Sequence, residues 1–289
     1  MKYGVTFPQD HTMDDPGAVR AFAEAAEGLG YDFLTVSDHV VGADVTNRPD
    51  WNLPYTIDNL FREPLVMLGY MAACTNRIIL GTSVVIMPQR QTALVAKQMA
   101  ELDMLSNGRA MLGVGVGRVK LEYEVLGEDF HTRGRRLEEQ ITVLRALWTE
   151  RAITFEGEFH HIDAAGLNTM PVQRPIPIWM GASAPTAVQR IARLADGWFP
   201  STSTAANFPA QLEQFRTWAR EAGRDPASIA IAPRMTLHPD EMGAWPEQVA
   251  GWEALGASHL GLLTGRGHQA SVNEHIALLR AFSDSLKLV

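Results

Sequence analysis

Hydrophobic positions along this chain alternate between short continuous runs and longer stretches at helical spacing. The runs Tyr3–Phe7, Phe33–Val36, Ile78–Ile86 and Ala110–Val114 read as buried strands. Between them, Pro16–Leu29 sets Val19, Phe22, Ala25, Ala26 and Leu29 on one helical face, and Gly30 stands where a C-terminal cap belongs. Pro64–Cys74, Thr92–Leu105 (closed by Ser106-Asn107-Gly108) and the long amphipathic Arg133–Trp148 read as further helices. The second half keeps the rhythm. Strand Ile176–Met180 leads to helix Thr186–Ala195, and strand Gly197–Phe199 to helix Phe208–Ala222. Ile229–Pro233 pairs with Pro246–Leu255, and His259–Leu263 with Val272–Ser285. This is about eight strand–helix units, the count of a (β/α)8 TIM barrel.

A doubly wound sheet is the competing α/β architecture. It would want a dinucleotide fingerprint, and Gly113-Val114-Gly115-Val116-Gly117 is followed by Arg118 where the last glycine belongs. Three connections exceed what a barrel needs: Val40–Arg62 after the second strand, Gly115–Thr132 after the fourth, and Arg151–Arg174 before the fifth. Long loops in a compact domain are usually functional, and the first two follow strand C-termini, the barrel's catalytic face. The third holds the polar, aromatic FEGEFHHID, which reads as a small hairpin.

Composition narrows the function classes. With 46% hydrophobic and 20% charged residues, the 289-residue chain can build a large core, and one domain over residues 1–289 is expected. The formal charge of −8, without a long basic run, argues against nucleic acid as a partner. No apolar segment approaches membrane-spanning length and the N-terminal run is too short for a signal peptide, so a cytoplasmic protein is expected. The single cysteine, Cys74, reads as a small core residue.

Four stretches can carry chemistry. In Arg174–Pro200 a buried strand passes through Gly181-Ala182-Ser183-Ala184-Pro185 into a helix. Gly181 admits close backbone approach, Ser183 is a plausible N-cap, and Pro185 suits the first turn. Such a helix start aims free N–H groups at an anion, although an ordinary strand-to-helix connection has the same look. Ser37-Asp38-His39 follows a strand directly; a carboxylate beside an imidazole can orient it, and equally can cap a turn beside a structural histidine. Gly81-Thr82-Ser83-Val84-Val85 interrupts an apolar strand, marking either a bulge or a polar layer of the interior. Gly113, Gly115 and Gly117 leave room for a flat ligand, and Arg118 can meet an anion. His160-His161 would point to opposite faces of a strand, so no metal is expected, and no Gly-x-Ser-x-Gly elbow supports a hydrolase.

Taken in order, these stretches resemble the luciferase-like monooxygenase superfamily, and within it the branch of deazaflavin (coenzyme F420)-dependent oxidoreductases. The resemblance runs from Met1 to about Pro200 through Ser37-Asp38-His39, Gly81-Thr82-Ser83-Val84, LDMLSNGRAMLGVGVG, EYEVLG, FHTRGRRLEEQITVLRALWTE and PVQRPIPIWMGASAP…ADGWFP. It implies a TIM barrel with a flavin-type ring at its mouth and a non-prolyl cis peptide at Ser83–Val84 pressing on the ring. It implies a phosphate seat at Gly181, Ala182, Ser183 and Ala184. Ser37, Thr82, Ser83, Val84, Val116, Gly117 and Arg118 would line the cofactor, and His39, seconded by Asp38, would donate or accept a proton. Arg118 stands where some relatives place an acidic glutamate, which counts against sugar-phosphate oxidation. The resemblance therefore implies F420 as cofactor and hydride transfer at its C5 to or from a small organic substrate. FMN and monooxygenation are the alternative, and a non-catalytic flavin-binding barrel a second. Arg118, Lys120, Arg133, Arg135 and Arg136 would supply an electropositive groove for the acidic F420 tail. Val40–Arg62, with Trp51, Tyr55 and Phe61, and Arg151–Arg174 would shape the substrate site, and a homodimer is expected.

Overall fold

The computed structural model describes residues 1–9, 14–53, 55–201, 208–265 and 271–289. The first half runs β1 (Lys2–Thr6), α1 (Pro16–Gly28), β2 (Phe33–Val36), α2 (Pro64–Cys74), β3 (Ile79–Thr82), β4 (Val85–Ile86), α3 (Thr92–Leu105) and β5 (Ala110–Gly115). Then come α4 (Lys120–Val125), α5 (Arg133–Thr149) and the pair β6 (Ile153–Glu156) and β7 (His161–Ala165). The second half runs β8 (Ile178–Ala182), α6 (Pro185–Leu194), β9 (Gly197–Pro200), α7 (Phe208–Glu221), β10 (Ala230–Ile231), β11 (Arg234–Thr236), α8 (Trp245–Ala254), β12 (His259–Leu263) and α9 (Val272–Leu286).

Proline and a capping carboxylate open the first two helices. Asp15 accepts from the Ala18 N–H before Pro16, and Glu63 accepts from the Val66 N–H before Pro64. Gly30 follows α1 at φ +87°, as its position after the apolar face anticipates. Cys74 ends α2 half-buried rather than in the core.

The strands form one parallel sheet in the order β10-β9-β8-β5-β3-β2-β1-β12-β11, with β4 also on β5. Its terminal members, β10 and β11, are separated in the chain only by Ala232 and Pro233. The Ala232 N–H reaches Trp198 O and Pro233 O accepts from Gly261 N–H, so the sheet curls until its edges meet in one segment. β6 and β7 form a separate antiparallel hairpin, as FEGEFHHID suggests.

Three expected strands shift for local reasons. The run Ile78–Ile86 breaks into β3 and β4 around a cis Ser83–Val84 peptide. The strand expected at Ile176 begins at Ile178, because Pro175 and Pro177 have no N–H for the ladder. Ile229–Pro233 divides at Pro233, and its second half extends to Thr236. The connection Gly115–Thr132 is not plain loop, since it contains α4.

Inside the curl the space is filled by large rings opposite glycines. A Cβ on Gly4 would lie 2.1 Å from the Phe33 ring, and one on Gly197 would lie 2.2 Å from Trp179. His259 joins this layer, edge-on to Trp179 at 4.9 Å between ring centroids. Burial first, and then Lys2, depress the His259 pKa to about 4, while Asp32 pulls the other way. The unfolded chain therefore binds a proton that the folded chain refuses between about pH 6.5 and about pH 4. Stability is fully present above pH 6.5 and is lost as the pH falls through that window. The full shift corresponds to about 3 kcal/mol, reduced by the ring's partial exposure. Denaturant titrations at pH 7 and pH 4.5 should show this loss in the wild type and a flatter dependence in His259→Phe. An equal loss in the variant would assign it to other groups.

Candidate active site

The sequence places Ser37, Asp38 and His39 immediately after β2, and the curl brings them against the break between β3 and β4. The Ser37 hydroxyl donates to Ser83 O at 3.2 Å, and the Ser83 N–H donates to Val36 O at 2.8 Å. Arg234, on β11, donates from Nη2 to Ser83 O at 2.7 Å and also to Ser83 Oγ. Val84 then projects between two residues that lack side chains. A Cβ on Gly115 would lie 2.7 Å from Val84 Cγ2, and one on Gly181 would lie 3.0 Å from Val84 Cγ1.

Two cavities share this shelf. One of about 510 Å³ is bounded by His39, Tyr55, Asn59, Phe61, Val84 and Arg234, with Ser37, Asp38 and Ser83 also on its wall. The other, of about 340 Å³, lies toward Gly181, Phe199, Pro200 and Ser201. Ser83, Val84, Arg234 and Leu263 belong to both walls, so the two form a continuous cleft. Its size suits a flat ring with a small second molecule beside it.

His39 sits between the aromatic rings of the first long connection. Its centroid is 4.3 Å from Tyr55 and 4.6 Å from Phe61. The connection itself is tied down by Gln9, which donates to Ser37 O at 2.6 Å and accepts from the Arg62 N–H at 2.7 Å. Trp51 does not join this wall; its indole N–H donates to Tyr55 O.

The expected seconding of His39 by Asp38 is corrected by the geometry. Asp38 accepts from Arg90 at 2.9 Å on one oxygen, and from Arg90 Nε and the Ile86 N–H on the other. Burial pushes the Asp38 carboxyl above its usual pKa, while Arg90 pulls it down. Arg90 in turn reaches Glu63 at 2.9 Å, so Asp38 anchors β4 and the start of α2. The carboxylate facing His39 is Glu122 on α4: its Oε2 lies 3.1 Å from Nδ1, and its Oε1 accepts from the Val40 N–H at 2.9 Å. Glu122 is fully buried.

Thr82 is a second correction. It is fully buried, its hydroxyl donates to Gly113 O at 2.6 Å, and it accepts from the Gly113 N–H at 3.0 Å. That is the polar interior layer, and Thr82 lies on neither cavity wall. Gly117, at φ +64°, passes Ile86 so closely that a Cβ would lie 2.7 Å from Ile86 Cγ2; Val116 before it is half-buried and Arg118 after it is exposed.

At the other end of the cleft, Gly181 and Ala182 end β8 and lead through the exposed Ser183 and Ala184 to α6. Ser183 is not the N-cap. Ala184 takes that position, and no side chain caps the helix. The carbonyls of Ala182 and Ser183 are taken by Trp198 Nε1 and Gln211 Nε2. In the first turn Pro185 has no N–H, and Ala187 and Val188 donate to Ala184 O at 2.9 Å, so Thr186 supplies the first-turn N–H that no described group takes, near the Gly181 end of the cleft.

The expected basic groove is largely neutralised. Lys120 pairs with Glu124 at 3.3 Å, Arg135 with Glu158 at 2.9 Å and Arg136 with Glu128. Arg133 lies over the Phe130 ring at 3.7 Å. No described residue of the Arg151–Arg174 insertion lines either cavity. Its hairpin packs on α3 and α5, and His160 reaches Thr92 at the start of α3, two residues beyond Arg90. His160 holds Glu139 on α5 and Thr92 on α3, Lys97 holds Asn168 and Thr169, and Gln173 holds Asp103.

Glu122, Arg90, Gln9 and Arg234 were not legible as site residues. Each meets its partner across 28 or more residues of chain, and no local spacing announces such a pair. Among the described residues no group of three or more His, Cys, Asp or Glu could hold a metal, and no helix is long and apolar enough to cross a membrane.

Residues 1–274 match the family model described as luciferase-like monooxygenase. An F420-dependent glucose-6-phosphate dehydrogenase of Kineococcus radiotolerans is 32% identical over 232 residues, covering 78% of this chain and 65% of the dehydrogenase. Two solved structures share the fold, each with a TM-score of 0.77. A monooxygenase from Streptomyces bottropensis is 21% identical, with 99% of both chains covered. The coenzyme F420-dependent tetrahydromethanopterin reductase from Methanopyrus kandleri is 16% identical, with 98% of this chain and 97% of that one covered.

Proposed function

The chain belongs to the luciferase-like monooxygenase family, and from that premise we propose that it is an F420-dependent oxidoreductase acting on a small organic substrate. The observation that carries this reading is the continuous cleft, with His39 at one end, the Val84 shelf in the middle and the uncapped start of α6 at the other. The F420-dependent relative supports the deazaflavin over other flavins. The residues fit such a group: Gly115 and Gly181 leave the shelf free of side chains on both sides of Val84, and Gly181 through Ala184 would seat the phosphate. When bound, F420 supplies or accepts a hydride at its C5.

The protein's own part is positioning and proton handling. Ser37 and Arg234 fix Ser83 from two sides, and with it the shelf. Tyr55 and Phe61 shield His39 and leave a partly apolar wall for substrate. His39 would move a proton at Nε2 while the substrate's carbon exchanges a hydride with the cofactor. Val116, Gly117 and Arg118 would border the ring's side chain.

With this goes a single (β/α)8 unit over residues 1–289, in which β10 and β11 are one interrupted strand, with insertions after strands 2 and 4 and before strand 5. A cytoplasmic homodimer completes the proposal; Val66, Tyr70 and Leu94 are exposed on the neighbouring helices α2 and α3, where a second copy would cover them.

One observation favours the other cofactor. The ion-paired Lys120, Arg135 and Arg136 leave little free positive charge for an acidic tail, which suits FMN and oxygen-dependent chemistry. Fluorescence titration of the purified protein with F420 and, separately, with FMN decides between them. The expected result is F420 binding at micromolar concentration or below, about −8 kcal/mol or better, with weak FMN binding. The reverse preference would make the protein a flavin monooxygenase. Binding of neither would remove the cofactor assignment.

A further inference from the structure

We infer that Glu122 is the positioning residue for His39: it keeps the proton on Nδ1 and leaves the lone pair of Nε2 to the cleft. The inference rests on the proposed proton-handling role of His39. The geometry behind it is that one buried carboxylate serves two N–H donors on adjacent residues. Oε1 takes the backbone N–H of Val40 at 2.9 Å, which fixes where the carboxylate sits relative to the turn after β2. Oε2 then lies 3.1 Å from Nδ1 of His39. An ionised carboxylate can only accept, so the nitrogen facing it carries the hydrogen. Nε2 is the ring's remaining nitrogen, and it has no hydrogen-bond partner among the described residues.

The support for Glu122 is rigid. The Tyr123 hydroxyl, next in sequence on α4, donates to Val116 O at 2.6 Å, and its ring meets Phe130 edge-on at 5.3 Å. The helix that carries Glu122 is thereby attached to the end of β5. Tyr55 and Phe61 hold the imidazole from its other sides. Ring orientation and tautomer are both determined before any ligand arrives, which is the preorganisation that proton transfer rewards. A purely structural role, fastening α4 to the turn after β2, would use the Val40 bond alone and would be indifferent to the ring's tautomer.

Glu122→Gln separates the two roles. The amide is isosteric but offers one acceptor and one donor. If its oxygen stays on the Val40 N–H, its NH2 faces Nδ1, and every bond is satisfied only when the ring moves its hydrogen to Nε2. Nitrogen-15 NMR of the cofactor-free protein at neutral pH should show His39 protonated at Nδ1 in the wild type and at Nε2 in the variant. In turnover, kcat should fall by about 10²–10³-fold, as expected for an imidazole in the wrong tautomer, with KM little changed. F420 titration should be unaltered. In a His39→Ala background, Glu122→Gln should cost little more, because the group it positions is gone. Persistence of the Nδ1–H tautomer in Glu122→Gln would overturn the inference. So would an equal loss of kcat with and without His39. If the protein binds no F420, the functional proposal fails while the NMR comparison still decides the role of Glu122.

Discussion

His39→Ala is expected to lower kcat/KM by about 10²–10⁴-fold, or about 3–5 kcal/mol of transition-state stabilisation. F420 binding should be retained. Of the titratable groups on the wall of the larger cavity, Asp38 is spent in an arginine pair, Arg234 holds the shelf, and Tyr55 packs its ring on the imidazole, while His39 presents a ring nitrogen to the cleft. Its ring is already held by Glu122, Tyr55 and Phe61, so truncation removes proton transfer without removing any cofactor-seating element. The measurement is steady-state turnover on whichever alcohol–ketone pair passes a screen with F420, beside a cofactor titration of the same variant. Unchanged turnover would remove His39 from the chemistry. Turnover by neither protein, with cofactor bound by both, would favour a barrel that binds without catalysis.

Gly113→Ala is expected to destabilise the fold by at least about 3 kcal/mol, and the soluble yield should drop with it. A Cβ at this position would lie 1.9 Å from the carbonyl oxygen of Thr82, which is backbone and cannot rotate away. Thr82 and Gly113 also exchange two hydrogen bonds, so β3 and β5 are locked at the spacing the absent side chain allows. The strands cannot separate without breaking buried bonds, each of which costs about 1–3 kcal/mol when left unsatisfied. Gly69→Ala is the control. It lies inside α2 with nothing within 4 Å of the added methyl, and alanine there should stabilise by about 0.5–1 kcal/mol. Denaturant midpoints of the three proteins test the contrast; similar midpoints for Gly113→Ala and wild type would mean that the sheet yields at this point.

The two substitutions bear on what could be read in advance. Thr82 and Gly113 were visible as a polar interruption of one apolar run and a glycine in another. Their reciprocal bonding was not visible, because register between parallel strands 31 residues apart is set by the sheet. Thr82 therefore looked like a cofactor contact, whereas its hydroxyl bolts β3 to β5. Likewise Asp38 and His39 are adjacent in sequence, and adjacency suggested a pair. After β2 the two side chains diverge, Asp38 toward Arg90 and His39 toward Glu122. Local spacing cannot choose among partners 52 and 83 residues away.

Where physics is local, the sequence settled the outcome. Apolar periodicity determined the strand–helix alternation, and β2, α2, α3 and β12 stand at the residues it marks. Proline and glycine placed α1, α2 and the α6 entry to within a residue or two. The stretches around His39, Ser83 and Gly181 were legible as candidate chemistry because each follows or interrupts a buried strand. The tertiary structure alone decided which of them share a cleft, which carboxylate faces the histidine, and that the Arg151–Arg174 hairpin packs on α3 and α5 without lining the cleft. It also decided that most of the basic side chains face acids of their own. The reason is one of range: backbone preference and burial period act over a few residues, whereas hydrogen bonds, ion pairs and cavities depend on how the closed sheet brings distant segments together.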